Sequence, residues 1–192
     1  MKKKIVIISL LSLSLNANSI SLPIPKSSCL IPDEIMTALA MTEGTQQKKV
    51  GYEYLIRING KDNSLKAKKK LNALIENKKI TQLSQDKYGD VYDCKNERQC
   101  IETTNQLIDA EITNLDLGAY QTNYKYHTSD IEHYFNFNTS YMLACRYQHQ
   151  LVNQYGWSWQ TVAKYHSKTK EHNERYQKIL IANYKKVIGV KN

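Results

Sequence analysis

The sequence predicts a mainly helical domain with at most a small β element. Three observations carry that expectation. Apolar residues recur at three- and four-residue spacing in several stretches, most clearly Tyr176, Ile179, Leu180, Tyr184 and Val187. Residues 32–43 open with Pro32-Asp33-Glu34 and stop at Gly44, the start and stop signals of a helix. Only one short run, residues 52–58 (Tyr-Glu-Tyr-Leu-Ile-Arg-Ile), reads as a strand or extended segment.

Taken in chain order, residues 1–17 read as a secretory signal: Met-Lys-Lys-Lys, an apolar run over 5–15, then Asn16-Ala17. The run is too short to span a bilayer as a stable helix. Cleavage is expected after Ala17, with Ser19 as the alternative. In the helix at 32–43 the apolar stripe is Ile35, Met36, Leu39 and Ala40. Asn59-Gly60 is a turn signal after the candidate strand. Residues 61–79 hold seven Lys against Asp62 and Glu76, and Leu65, Leu71, Leu74 and Ile75 give them helical periodicity, so a solvated helix is expected. Residues 80–100 are polar. Ile101, Leu107, Ile108 and Ile112 mark a helix over 101–113, and Tyr141, Met142, Cys145, Leu151 and Val152 mark one over 138–155. Helices over 158–165 and 169–187 follow, with Ser158 and Thr169 as N-cap candidates.

The chain has 192 residues, room for one domain, and 41% hydrophobic residues, which excludes collagen-like, low-complexity and wholly disordered classes. Its formal net charge of +9 favours an anionic partner, and loss of the three lysines in the signal lowers this to +6. Export makes nucleic acid an unsuitable partner. No second apolar run of membrane length follows, so a soluble, periplasmic protein without a membrane span is expected. Fourteen Tyr against two Phe suit a wet, half-buried surface such as a binding groove. The four cysteines are Cys29, Cys94, Cys100 and Cys145, and an even number in an oxidising compartment points to two disulfides. Cys94 and Cys100 are neighbours suited to a local loop, which leaves Cys29 for Cys145. The spacing is too wide for a zinc knuckle and no HExxH occurs, so neither a metal nor another cofactor is expected.

Glu43 is the first candidate for chemistry. It follows Leu39 by four and Met36 by seven, so it extends its helix's apolar stripe, and it lies in the last turn, where the helix dipole disfavours negative charge. Both effects raise a carboxyl pKa toward that of a general acid working near neutral pH. The bland alternative is a helix-end Glu snorkelling to solvent. Second, residues 114–123 combine Gly118 with the amides of Gln121 and Asn123 beside Tyr120, Tyr124 and Tyr126, a mix suited to a sugar with hydroxyl edges and apolar faces. Third, Tyr165 and His166 end one helix just before another begins.

In this order the three segments resemble the lytic transglycosylases of the lysozyme-like superfamily, of the small exported type that accompanies secretion and conjugation machines. That family carries an apolar helix ending in Glu-Ser, a segment like Gly-Leu-Met-Gln-Ile-Asn, and a Tyr-Asn or Tyr-His pair. Residues 38–44 are similar to the first, residues 116–123 to the second, and residues 165–176 to the third. The resemblance covers roughly 29–60 and 101–188, within a domain at 29–188, and leaves 61–100 as an enlarged lysine-rich insertion. Gly44 replaces the family Ser, Ala119-Tyr120 replaces Leu-Met, and Asn138 stands where relatives often have Cys. The resemblance implies a two-lobed, mainly α lysozyme-like domain with a central groove for peptidoglycan glycan strands. It implies cleavage of the β-1,4 bond between N-acetylmuramic acid and N-acetylglucosamine with a 1,6-anhydro product. Glu43 would be the acid and then the base, Tyr165 would hydrogen-bond and orient it, and Gln121 would hold the substrate. Asn123, His166 and Tyr120 would support the site. A hydrolytic muramidase needs a second acid, for which Glu53 and Asp116 are the nearby candidates, and a glycan-binding assembly component without catalysis is the non-enzymatic alternative.

Overall fold

The computed structural model describes residues 29–44, 49–86 and 88–189; the signal-like segment 1–17 lies outside them. Helix α1 (Asp33–Glu43) is buried from Ile35 through Met41, on every side and not only along its expected stripe. Its capacity to be central follows from composition: Ala38 and Ala40 let neighbours approach while Met36 and Leu39 fill the space around them. Helix α7 (Lys170–Val187) packs against it, and α5 (Phe137–Tyr155) and α6 (Trp159–Ala163) complete the same core. Together they bury Met36, Leu39, Tyr141, Val162 and Leu180 in one core. Each such side chain stabilises the fold by about 1.5–3 kcal/mol.

The second core corrects the mainly helical expectation. Strands β1 (Leu55–Asn59), β2 (Thr81–Asp86), β3 (Gly89–Asp93), β4 (Leu115–Leu117) and β5 (Thr122–Asn123) form one antiparallel sheet in the order β2-β3-β1-β4-β5. The fold is therefore α+β, with one lobe built on helices and the other on a sheet. Ile56, Ile58, Tyr92, Leu115 and Leu117 on the sheet pack with Leu71 of α2 (Lys61–Glu76), Leu107 of α3 (Glu97–Ile108) and Phe135 of α4 (Glu132–Phe135). Two strands lie in the stretch that reads as a polar loop. All five residues of β3 are buried, including Asp90 and Asp93. Their charges are met locally: Tyr92 donates to Asp90 at 3.2 Å, and Tyr52 and the Lys95 amide donate to Asp93, both at 2.8 Å. Buried acids paired this way remove the apolar alternation by which a strand is recognised.

Asn59-Gly60 does not close a hairpin. Gly60, at φ 92°, turns the chain from β1 directly into α2, and β1 pairs instead with β3 and β4. Helix α2 buries Ser64, Ala67 and Leu71 and exposes Lys66, Lys68, Lys69 and Lys70. Leu65 and Ile179, expected inward, are 52% and 54% exposed. Ser158 caps α6 by accepting from the Thr161 amide at 3.0 Å, whereas Thr169 precedes α7 without a side-chain cap.

Both disulfides form with the expected partners. Cys29–Cys145 ties the residues before α1 to α5 across 116 positions, and Cys94–Cys100 joins the end of β3 to the first turn of α3. Among the described residues no helix is long and apolar enough to cross a membrane.

Candidate active site

A groove of about 990 Å³ separates the two lobes. Its floor is the polar face of the sheet. Val91, Arg57, Asp116 and Asn123 stand in register across β3, β1, β4 and β5, so strand alternation puts all four on one face while Ile56 and Ile58 point into the core. Asp116 is fixed at both oxygens: Asn59 donates to Oδ2 and Asn123 to Oδ1, each at 2.7 Å. Burial raises its pKa, and those two amides and Arg57 act in the opposite sense.

The opposite wall is helical, and Glu43 stands on it at the last position of α1. The Gly44 amide closes the helix onto Ala40 at 3.0 Å. A Cβ on Gly44 would lie 3.0 Å from the Ala119 carbonyl oxygen and 3.1 Å from that of Ala40, so glycine lets the 118–123 segment press against the helix end. The same segment turns at Gly118, φ 75°, where a Cβ would overlap the Tyr134 carbonyl at 1.8 Å. This packing brings Gln121 and Thr122 into the groove beside Glu43.

The Glu43 side chain keeps only 13% of its exposure. Burial raises its pKa from 4.5 to about 8; the Tyr176 hydrogen bond lowers it, the Asp116 charge raises it and Arg57 lowers it. At neutral pH the carboxyl therefore carries its proton. The Tyr176 hydroxyl of α7 donates to Oε1 at 2.6 Å, so Oε2 is the oxygen placed to carry that proton. The His166 ring stacks on Tyr176 with centroids 4.7 Å apart and planes 3° apart, and its Nδ1 is 3.9 Å from Oε1. Burial, then His172, Arg57 and Arg175, hold the imidazole below its usual pKa.

The other expected residues fall into three groups. Gln121 and Asn123 line the groove, but each has an internal partner: Gln121 Nε2 donates to the Gly118 carbonyl at 2.8 Å, and Asn123 Nδ2 donates to Asp116 and, at 2.9 Å, to Asn114. Gln121 adopts φ 45°, a left-handed conformation uncommon for a side-chain-bearing residue. Tyr165 also lines the groove, yet its hydroxyl donates to the Tyr120 carbonyl at 2.9 Å and meets Thr122 at 3.1 Å. Its single proton is committed there, so the residue that hydrogen-bonds Glu43 is Tyr176 and not Tyr165. Tyr120 is fully buried in the helical core against Phe137 and Tyr141, away from the groove. Of the two candidate second acids, Asp116 lines the groove. Glu53 pairs with Lys49 at 3.7 Å and is not part of the lining.

Sequence reasoning missed Arg57, Asn59 and Arg175 as groove residues, and Tyr176 as the buried partner of Glu43. The alternation of Ile56, Arg57, Ile58 and Asn59 is the signal that could have placed Arg57 and Asn59 on the open face. Tyr176 reads only as one more position of an apolar helix stripe. Among the described residues no group of three His, Cys, Asp or Glu side chains is placed to hold a metal ion. Comparison with protein-family models, with curated proteins and with solved structures finds no match.

Proposed function

We propose that the protein is a peptidoglycan lytic transglycosylase, exported to the periplasm, that cleaves the β-1,4 bond between N-acetylmuramic acid and N-acetylglucosamine and leaves 1,6-anhydro ends. The observation that carries this reading is a carboxyl group held protonated near neutral pH on the wall of a groove large enough for sugar rings. Glu43 Oε2 delivers its proton to the glycosidic oxygen as the bond breaks. The carboxylate so formed then takes the proton of the muramyl 6-hydroxyl, whose oxygen attacks the anomeric carbon and closes the anhydro ring. One carboxyl serves both steps, and general acid–base assistance of this kind contributes about 10²–10⁴-fold. Tyr176 fixes the orientation of the carboxyl and stabilises its ionised form between the steps. Local opening of the wall for a secretion or conjugation apparatus is the role that goes with such an activity.

A second reading, hydrolysis, has one observation in its favour. Asp116 lines the same groove as Glu43, a second carboxyl of the kind that activates a water in a hydrolase. Mass spectrometry of glycan released from peptidoglycan separates the readings. Anhydro ends support the transglycosylase, reducing ends the hydrolase, and no new ends a glycan-binding component without catalysis.

A further inference from the structure

Basic side chains from different elements converge at one end of the groove. Arg57 rises from β1, His166 sits between α6 and α7, and His172 and Arg175 project from the first two turns of α7. The Arg175 guanidinium meets His172 Nδ1 at 2.9 Å. His166 lies close enough to Arg57, His172 and Arg175 for all three to lower its pKa beyond the effect of burial. Lys164 and Lys168 continue the same wall, and Lys168 acts on His127 in the same sense. The acids of the groove lining are Glu43 and Asp116. Glu43 is protonated at neutral pH, and Asp116, paired in register with Arg57, offsets one positive charge, so Arg175, Lys164 and Lys168 leave the wall positive. Glu171 and Glu174 of α7 are exposed and outside the lining. Like charges gathered this way repel one another, and a bound anion relieves the repulsion.

We propose that this wall is a subsite for a carboxylate carried by the substrate, with Arg175 as its main contact. A guanidinium offers a planar pair of donors that matches a carboxylate. The inference rests on the glycan reading above. On a muramyl strand the carboxylate is either the lactyl group or the end of an attached peptide. The subsite makes the protein selective for muramyl glycan over neutral glycan of the same length.

Titration calorimetry of the full chain with three ligands tests this. They are the N-acetylglucosaminyl-N-acetylmuramic acid disaccharide, its lactyl amide, and the disaccharide carrying a dipeptide with a free C-terminal carboxylate. At least one of the two acids should bind about tenfold or more tightly than the amide, the scale of one charge-assisted hydrogen bond. Preference for the first acid identifies the lactyl group, and preference for the third ligand alone identifies the peptide. Arg175→Gln should remove the difference, while Lys68→Gln, an equal charge loss on α2, should keep it. Equal affinity for all three ligands, no binding of any, or discrimination that survives Arg175→Gln overturns the subsite. Selective binding by a protein that releases no new glycan ends would keep the subsite and remove the cleavage reading; new ends without selectivity would do the reverse.

Discussion

The Tyr176 hydroxyl reaches Glu43 Oε1 at 2.6 Å across 133 residues of sequence, joining the end of α1 to the middle of α7. It lowers a carboxyl pKa that burial has raised to about 8. Tyr176→Phe should therefore move the alkaline limb of the kcat/KM profile upward, by up to about one unit for a lost hydrogen bond to a charged group. Tyr165→Phe removes a bond to Tyr120 and should leave that limb in place. A pH–rate series on both variants checks the contrast.

Glu43 also sets a pH dependence of stability. Its folded pKa lies above the unfolded value of 4.5, so the native state binds the proton more tightly. Its contribution is fully present below about pH 4.5, declines as pH rises, and is lost by about pH 8. Glu43→Gln removes this dependence. Thermal melts should show the variant gaining on the wild type between these limits, by on the order of a few kcal/mol at the upper one.

The position of Glu43 was legible because Leu39 and Met36 define its side of a helix by spacing alone. The disulfide partners were legible from parity and proximity. The sheet was not, because β2 reads Thr-Gln-Leu-Ser-Gln-Asp and β3 buries Asp90 and Asp93 on local hydrogen bonds. Strands β4 and β5 are three and two residues long, below the length at which alternation is visible. The partner of Glu43 was not legible either, since spacing within α7 says nothing of which distant carboxyl a tyrosine meets.

Gly44 carries a packing constraint that its residue type alone does not disclose. Gly44→Ser adds a Cβ at 3.0 Å from the Ala119 carbonyl oxygen and 3.1 Å from that of Ala40, and both atoms belong to backbone. The variant should lose about 1–3 kcal/mol in denaturant titrations.

The two disulfides differ in the chain they close. Replacing Cys29 and Cys145 together by Ala should cost about 5 kcal/mol, against about 2 kcal/mol for Cys94 and Cys100, because loop-closure entropy grows with length. Chemical denaturation of the two double variants under oxidising conditions compares them.

The exposed lysines of α2 lie outside the groove lining. Replacing Lys66, Lys68, Lys69 and Lys70 by Gln should weaken binding to insoluble wall at low salt and matter little at high salt, where the screening length shortens to a few ångströms. Turnover of a short soluble glycan should hardly change. Loss of that turnover would make α2 part of the catalytic groove.

The most direct test of Glu43 as the acid is a comparison of wild type and Glu43→Gln on purified peptidoglycan, with 1,6-anhydro ends counted by mass spectrometry and glycan binding measured alongside. The amide keeps the shape of the carboxyl and cannot donate its proton to the leaving oxygen. The wild type should release anhydro ends, and the variant should lose at least about 100-fold of that release with binding unchanged. Anhydro ends from the variant within a few-fold of wild type would contradict Glu43 as the acid.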